Sequence, residues 1–102
     1  MAEHPLAPLF RLDPDLQNYL KLSDAFVYSD GALPRKLKLV IAMAFDAAHG
    51  ADQGVAALAG AAIKAGATKQ EIVEAVRVAV HLSGIGAAYT ASKGLAGLES
   101  KT

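Results

Sequence analysis

The sequence predicts an all-α fold, a single helical bundle of about five helices that assembles into an oligomer. Three observations predict it. First, apolar residues recur at helical spacing through most of the 102 residues. Second, helix start and stop signals fall at regular intervals between those stretches. Third, 53% of the chain is hydrophobic while only 6% is aromatic, so the apolar content is mainly Ala, Val, Leu and Ile. A chain this short buries roughly two thirds of its unfolded surface, in one thin core. The surplus apolar surface therefore points to a second buried face, most simply a contact between copies of the chain.

Residues 1–12 are expected to form an N-terminal arm, with Pro5 and Pro8 preventing regular structure. Residues 13–102 form the helical domain. Its first helix opens at Asp13-Pro14-Asp15, an N-cap residue, a proline suited to the first turn and an acid suited to the positive end of the dipole. Leu16, Tyr19, Leu20 and Val27 follow at helical spacing, and Asp30-Gly31 with Pro34 punctuate the end.

The second helix starts at Pro34. Leu37, Val40, Ile41, Ala44, Phe45 and Ala48 make one apolar stripe. Leu39, Ala42 and Met43 carry apolar character to another face, so this helix is expected to be buried on most sides, and Gly50 ends it. The third helix, Asp52 to Ala65, is rich in Gly and Ala and suits close backbone approach, with Gly66 as its stop. Thr68 and Glu71 then spell a capping box for a fourth helix, Lys69 to about Ser83. A break at Ser83-Gly84 precedes a fifth helix through "AAYTASKGLAGLE".

Within that last stretch, Tyr89 and Lys93 form a Tyr-x-x-x-Lys pair like that of short-chain dehydrogenases. The context excludes that chemistry. Gly84-x-Gly86 would need a third glycine at 89, where Tyr89 stands. No βαβ unit precedes it. The hydroxyl expected upstream falls in "VRVAV", which has none.

Charge and composition exclude further classes. Ten basic and ten acidic residues give zero net charge, and the Arg35-Lys36-x-Lys38 cluster is too small to argue for nucleic acid. The uncharged run from Gly54 to Ile63 is far short of the ~20 residues of a membrane helix. "MAEHPLAPLF" lacks the pattern of a secretory signal, so a cytoplasmic location is expected. With no cysteine, thiol chemistry and thiolate metal sites are excluded.

From about residue 16 to 98, the chain resembles the carboxymuconolactone decarboxylase and alkylhydroperoxidase D-like superfamily. The resemblance rests on Leu33-Pro34-Arg35-Lys36, the Val40-Ile41-Ala42 helix, Gly50 at its end, and Lys64-Ala65-Gly66-Ala67-Thr68 followed by Glu71-Ile72. It implies an all-helical fold and a homo-oligomer, a trimer or hexamer. The peroxidase branch uses a Glu, a Cys-x-x-Cys pair and a His. By that resemblance the glutamate position holds Leu39, the cysteine positions Ala51 and Gly54, and the histidine position Leu58. Another histidine of the decarboxylase branch would fall near Arg77. The family's residues are thus missing, and thiol peroxidase activity with them.

Candidate replacements are few. Asp46 lies seven residues after Leu39, on the same helix face, and His49 is one turn further. The pair suits an acid–base couple in which the carboxylate orients the imidazole, lining a relocated pocket with His81 and Tyr89 as ligand-binding residues. A structural reading stands beside it: both histidines sit near helix C-termini, where the dipole favours imidazolium, and Asp46 pairs with a cation or a partner subunit. A metal on Asp46, His49 and His81 would lack a fourth ligand, so no metal and no cofactor are expected. Two function classes follow: a cofactor-independent enzyme on a small organic or lactone-like substrate, or a non-catalytic oligomeric ligand-binding or scaffold protein.

Overall fold

Helix-start chemistry sets the frame of the computed structural model, which describes residues 3–99. Its order is α1 (Ala7–Leu12), α2 (Pro14–Val27), α3 (Arg35–Ala48), α4 (Asp52–Lys64), α5 (Lys69–Ser83), α6 (Ile85–Gly94) and α7 (Ala96–Glu99), with no strand among the described residues. The all-α expectation holds, with five helices of seven or more residues and two short ones beside them.

Local signals account for most boundaries. Asp13 caps α2 by accepting the Leu16 backbone N–H at 3.1 Å. The capping box of α5 is reciprocal: Thr68 Oγ1 accepts from Glu71 N at 3.1 Å and Glu71 Oε1 accepts from Thr68 N at 2.9 Å. Gly84 adopts φ 94°, a conformation only glycine enters without strain, and this breaks α5 from α6. The arm departs from expectation. Pro8 does not prevent regular structure because it lies in the first turn of α1, where its missing N–H has no intrahelical partner to lose. The fifth predicted helix also divides, at Leu95 after Gly94.

The core is built by α3 to α6. Its largest fully buried side chains are Leu39, Met43, Val55 and Ile72. Among the described residues seven of the twelve buried hydrophobics are alanine, so the helices approach closely and the core is thin. A Cβ at Gly94 would lie 2.7 Å from the Asp52 carbonyl oxygen and 2.7 Å from Val55 Cβ, which shows how tightly α6 crosses α4.

α3 corrects the sequence reading. Its buried face is Leu39, Val40, Met43 and Ala47, while Leu37, Ile41 and Phe45 of the expected stripe stay exposed. The helix is thus not buried on most sides: Val40 of the expected stripe joins Leu39 and Met43 of the other face in the core, and Ala42, Ala44 and Ala48 are half-buried. α2 departs further from the core. It packs chiefly on α1, and Tyr19, Leu22 and Phe26 on its far face remain in solvent. No helix of the described residues is long and apolar enough to cross a membrane.

Candidate functional site

The C-terminal turn of α3 and the N-terminal turn of α4 face each other across Gly50, and the polar candidates collect there. The chain turns on a hydrogen bond from Ala51 N to the Asp46 carbonyl at 2.9 Å. This folds the start of α4 back against the Asp46 side chain. The carboxylate lies where a side chain at position 54 would begin: a Cβ there would clash with Oδ2 and sit 2.8 Å from Cγ. One of the two positions matched to the family's cysteines is therefore a glycine whose missing side chain makes room for a carboxylate.

Asp46 is half-buried, and its side chain has no hydrogen bond or ion pair among the described residues. Burial raises its pKa above the ordinary carboxylate value, while the charge of His49 pulls it back. Tyr28, at the end of α2, packs half-buried against the core. Its phenol is also raised, first by burial, then by the charges of Asp24 and Asp46, with Arg35 opposing. Nothing in sequence spacing links Tyr28 to Asp46, and the sequence reading missed it.

His49 is placed differently from the expected couple. It ends α3, its Nδ1 lies 2.8 Å from the Phe45 carbonyl oxygen, and its ring stacks on Phe45 with centroids 6.3 Å apart. The backbone orients the imidazole, and no hydrogen bond joins it to Asp46 among the described residues. The interaction left between the two is electrostatic.

Beside this corner lies a cleft of about 580 Å³, lined by Gly50 to Gly54 and Ala57 and roofed by His4, Pro5 and Leu6 of the arm. Both Ala51 and Gly54 line it. Ala51 provides no side-chain cap to α4, and the first-turn residues Asp52, Gln53 and Gly54 line the cleft. Of the other matched positions, Leu39 is core and Leu58 packs half-buried against it.

The structure does not bring His81 and Tyr89 to this corner. His81 lines a separate surface cleft of about 540 Å³ between α5 and α6, with Arg77 and Ser92. Tyr89 is 75% exposed and lies off that cleft. Among the described residues no group of three His, Cys, Asp or Glu side chains is placed to hold a metal ion.

Residues 14–96 match the model of the Carboxymuconolactone decarboxylase family. The chain belongs to that family. A carboxymuconolactone decarboxylase family protein from Legionella pneumophila, crystallised in its apo form, has a similar structure: TM-score 0.82 at 27% identity, covering 93% of this chain and 85% of that one. Among curated proteins no match is found. The family's fold is thus retained around a corner that carries Asp46 where the resemblance places a cysteine's neighbourhood.

Proposed function

We propose that this family member is a cofactor-independent enzyme acting on a small carboxylated organic substrate, lactone-like in the sense of the family name, with Asp46 as its acid–base group. The observation that carries the reading is the Asp46 carboxyl: half-buried, without a hydrogen-bond or ion-pair partner among the described residues, and lodged against Gly54, which itself lines the cleft. A carboxyl whose burial shifts it toward its neutral form is better suited to deliver a proton than an ordinary surface carboxylate. The uncapped start of α4 suits a substrate carboxylate that stays intact. In a decarboxylation, the bond to the departing CO2 breaks and its electron pair passes into the conjugated carbonyl system. The Asp46 proton then reaches the carbon left behind, and Asp46 recovers a proton from solvent. His49 acts through its charge on Asp46, while His81 lines a separate cleft and Tyr89 lies off it.

The chain works as a homo-oligomer, a trimer or hexamer, in this reading. The alternative, a non-catalytic ligand-binding or scaffold subunit of the same fold, is favoured by the apolar faces exposed on α2, α3 and α5. Carboxymuconolactone offered to the purified protein separates the two. CO2 release that falls about 100-fold or more in Asp46→Asn and persists in His81→Ala supports the enzyme. Absence of CO2 release by the wild-type chain from carboxymuconolactone and related carboxylated lactones overturns it in favour of the scaffold.

A further inference from the structure

Two apolar surfaces on this chain lack a partner within it. One is the far face of α2, where Tyr19 is 63% exposed, Leu22 74% and Phe26 83%. These residues are three and four apart, so they share one helix face. The other is a groove of about 410 Å³ between α3 and α5. Its floor holds Ala44, Ala48, Ala75 and Ala79, its walls include Ile41, Phe45, Val78 and Leu82, and Ser83 is its one polar lining residue.

We infer that the α3/α5 groove is the seat of α2 from a second copy of this chain. Shape supports this: the helix presents large side chains, and the floor presents alanines. Length supports it too. The 14 residues of α2 span about 21 Å, and the α3 side of the groove, residues 37–48, spans about 18 Å. The area suits a stable interface. Tyr19 and Phe26 alone leave roughly 300 Å² of aromatic side chain in water. Made reciprocally between two copies, each α2 in the other's groove, the contact places both surfaces of each chain in one interface, to be set against the roughly 800 Å² per partner of a standard one.

The elbow between α2 and α3 explains why a chain does not fill its own groove. Lys38 Nζ donates to the Ser29 carbonyl at 2.7 Å, and Arg35 N donates to Asp30 Oδ1 at 2.6 Å. Ser29 Oγ donates to the Phe26 carbonyl at 3.0 Å, and Tyr28 is anchored on the core. These bonds fix the elbow, and α2 packs chiefly on α1. The Legionella protein's match covers 93% of this chain, so α2 lies within the shared structure. A seated helix also covers Phe45, whose carbonyl and ring hold His49.

The inference rests on the self-assembly part of the proposed function and is independent of the acid–base part. Its test uses Phe26→Asp and Ile41→Asp in the full chain, both at exposed positions, with circular dichroism to confirm helicity. Light scattering after size exclusion is expected to show an oligomeric wild type and a smaller mass for each variant. The contact joins two different surfaces. Mixing the variants therefore leaves one intact pairing, the α2 of I41D in the groove of F26D. Tagged F26D is expected to co-purify untagged I41D, whereas neither variant co-purifies itself through this contact. A monomeric wild type overturns self-assembly altogether. Variants that keep the wild-type mass, or that fail to pair on mixing, overturn the α2-in-groove assignment alone.

Discussion

Gly54→Ala tests the placement of Asp46 directly. Replacing glycine by alanine inside a helix ordinarily stabilises by about 1 kcal/mol. At position 54 the new Cβ would overlap Asp46 Oδ2 and lie 2.8 Å from Cγ, but 3.5 Å from Cβ, which is ordinary contact. The clash therefore belongs to the carboxyl group and vanishes when Asp46 is cut back to alanine. Overpacking of this kind costs about 1–3 kcal/mol. The single substitution should thus be neutral to about 2 kcal/mol destabilising, once the helix gain is counted. In the Asp46→Ala background the same substitution should stabilise by about 1 kcal/mol. Gly60→Ala, where a Cβ meets nothing within 4 Å, provides the reference gain in the same helix. The assay is urea denaturation of the five chains at one protein concentration, read as midpoint and slope. The coupling between positions 46 and 54 should come out at about 1–3 kcal/mol. If G54A stabilises the wild type as much as it stabilises D46A, the carboxyl does not occupy that space and the site reading falls with it.

Three further outcomes are expected. Because the folded pKa of Asp46 is raised, its ionisation opposes folding above that pKa, and the penalty fades as pH falls from there to the ordinary carboxylate value, below which it is gone. Asp46→Asn should therefore be more stable than wild type at neutral pH and lose that advantage in acid, as denaturation midpoints across pH will show. Thr68→Ala should cost about 1 kcal/mol by thermal or urea unfolding, since it removes half of the α5 capping box. Gly94→Ala should cost about 1–3 kcal/mol, and more than Gly54→Ala, because its new Cβ meets the Asp52 carbonyl oxygen, a backbone atom that cannot rotate aside.

Local chemistry was legible in the sequence, and through-space chemistry was not. Asp13, Thr68 with Glu71, and the glycine at 84 announced their helix ends because capping acts within four residues. Pro8 misled because the same ring that breaks a helix interior suits a first turn, and the sequence does not say which turn it occupies. α3 misled because it is apolar on two faces, and only its neighbours decide which face is core. At the site, sequence spacing put Asp46 and His49 one turn apart near the degenerate motif, but no hydrogen bond joins them among the described residues. It did not show that the Phe45 carbonyl would hold the imidazole, that Gly54 would receive the carboxyl, or that Tyr28 would come near. It also joined His81 and Tyr89 to the same pocket, and the fold keeps them apart.

The alanines of the interior carry a mechanical consequence. An alanine has no rotamers, so an interior made largely of them has little capacity to accommodate strain by switching side-chain conformations. Energy delivered at the mouth of α4 is then transmitted by displacement of whole helices, sliding as stiff rods over smooth contacts. A ligand that closes the cleft beside Gly54 would pull on α4, and α4 is locked to α6 at Gly94. If the proposed ligand binds there, shear is the expected response, and the α4–α6 crossing is where it would register.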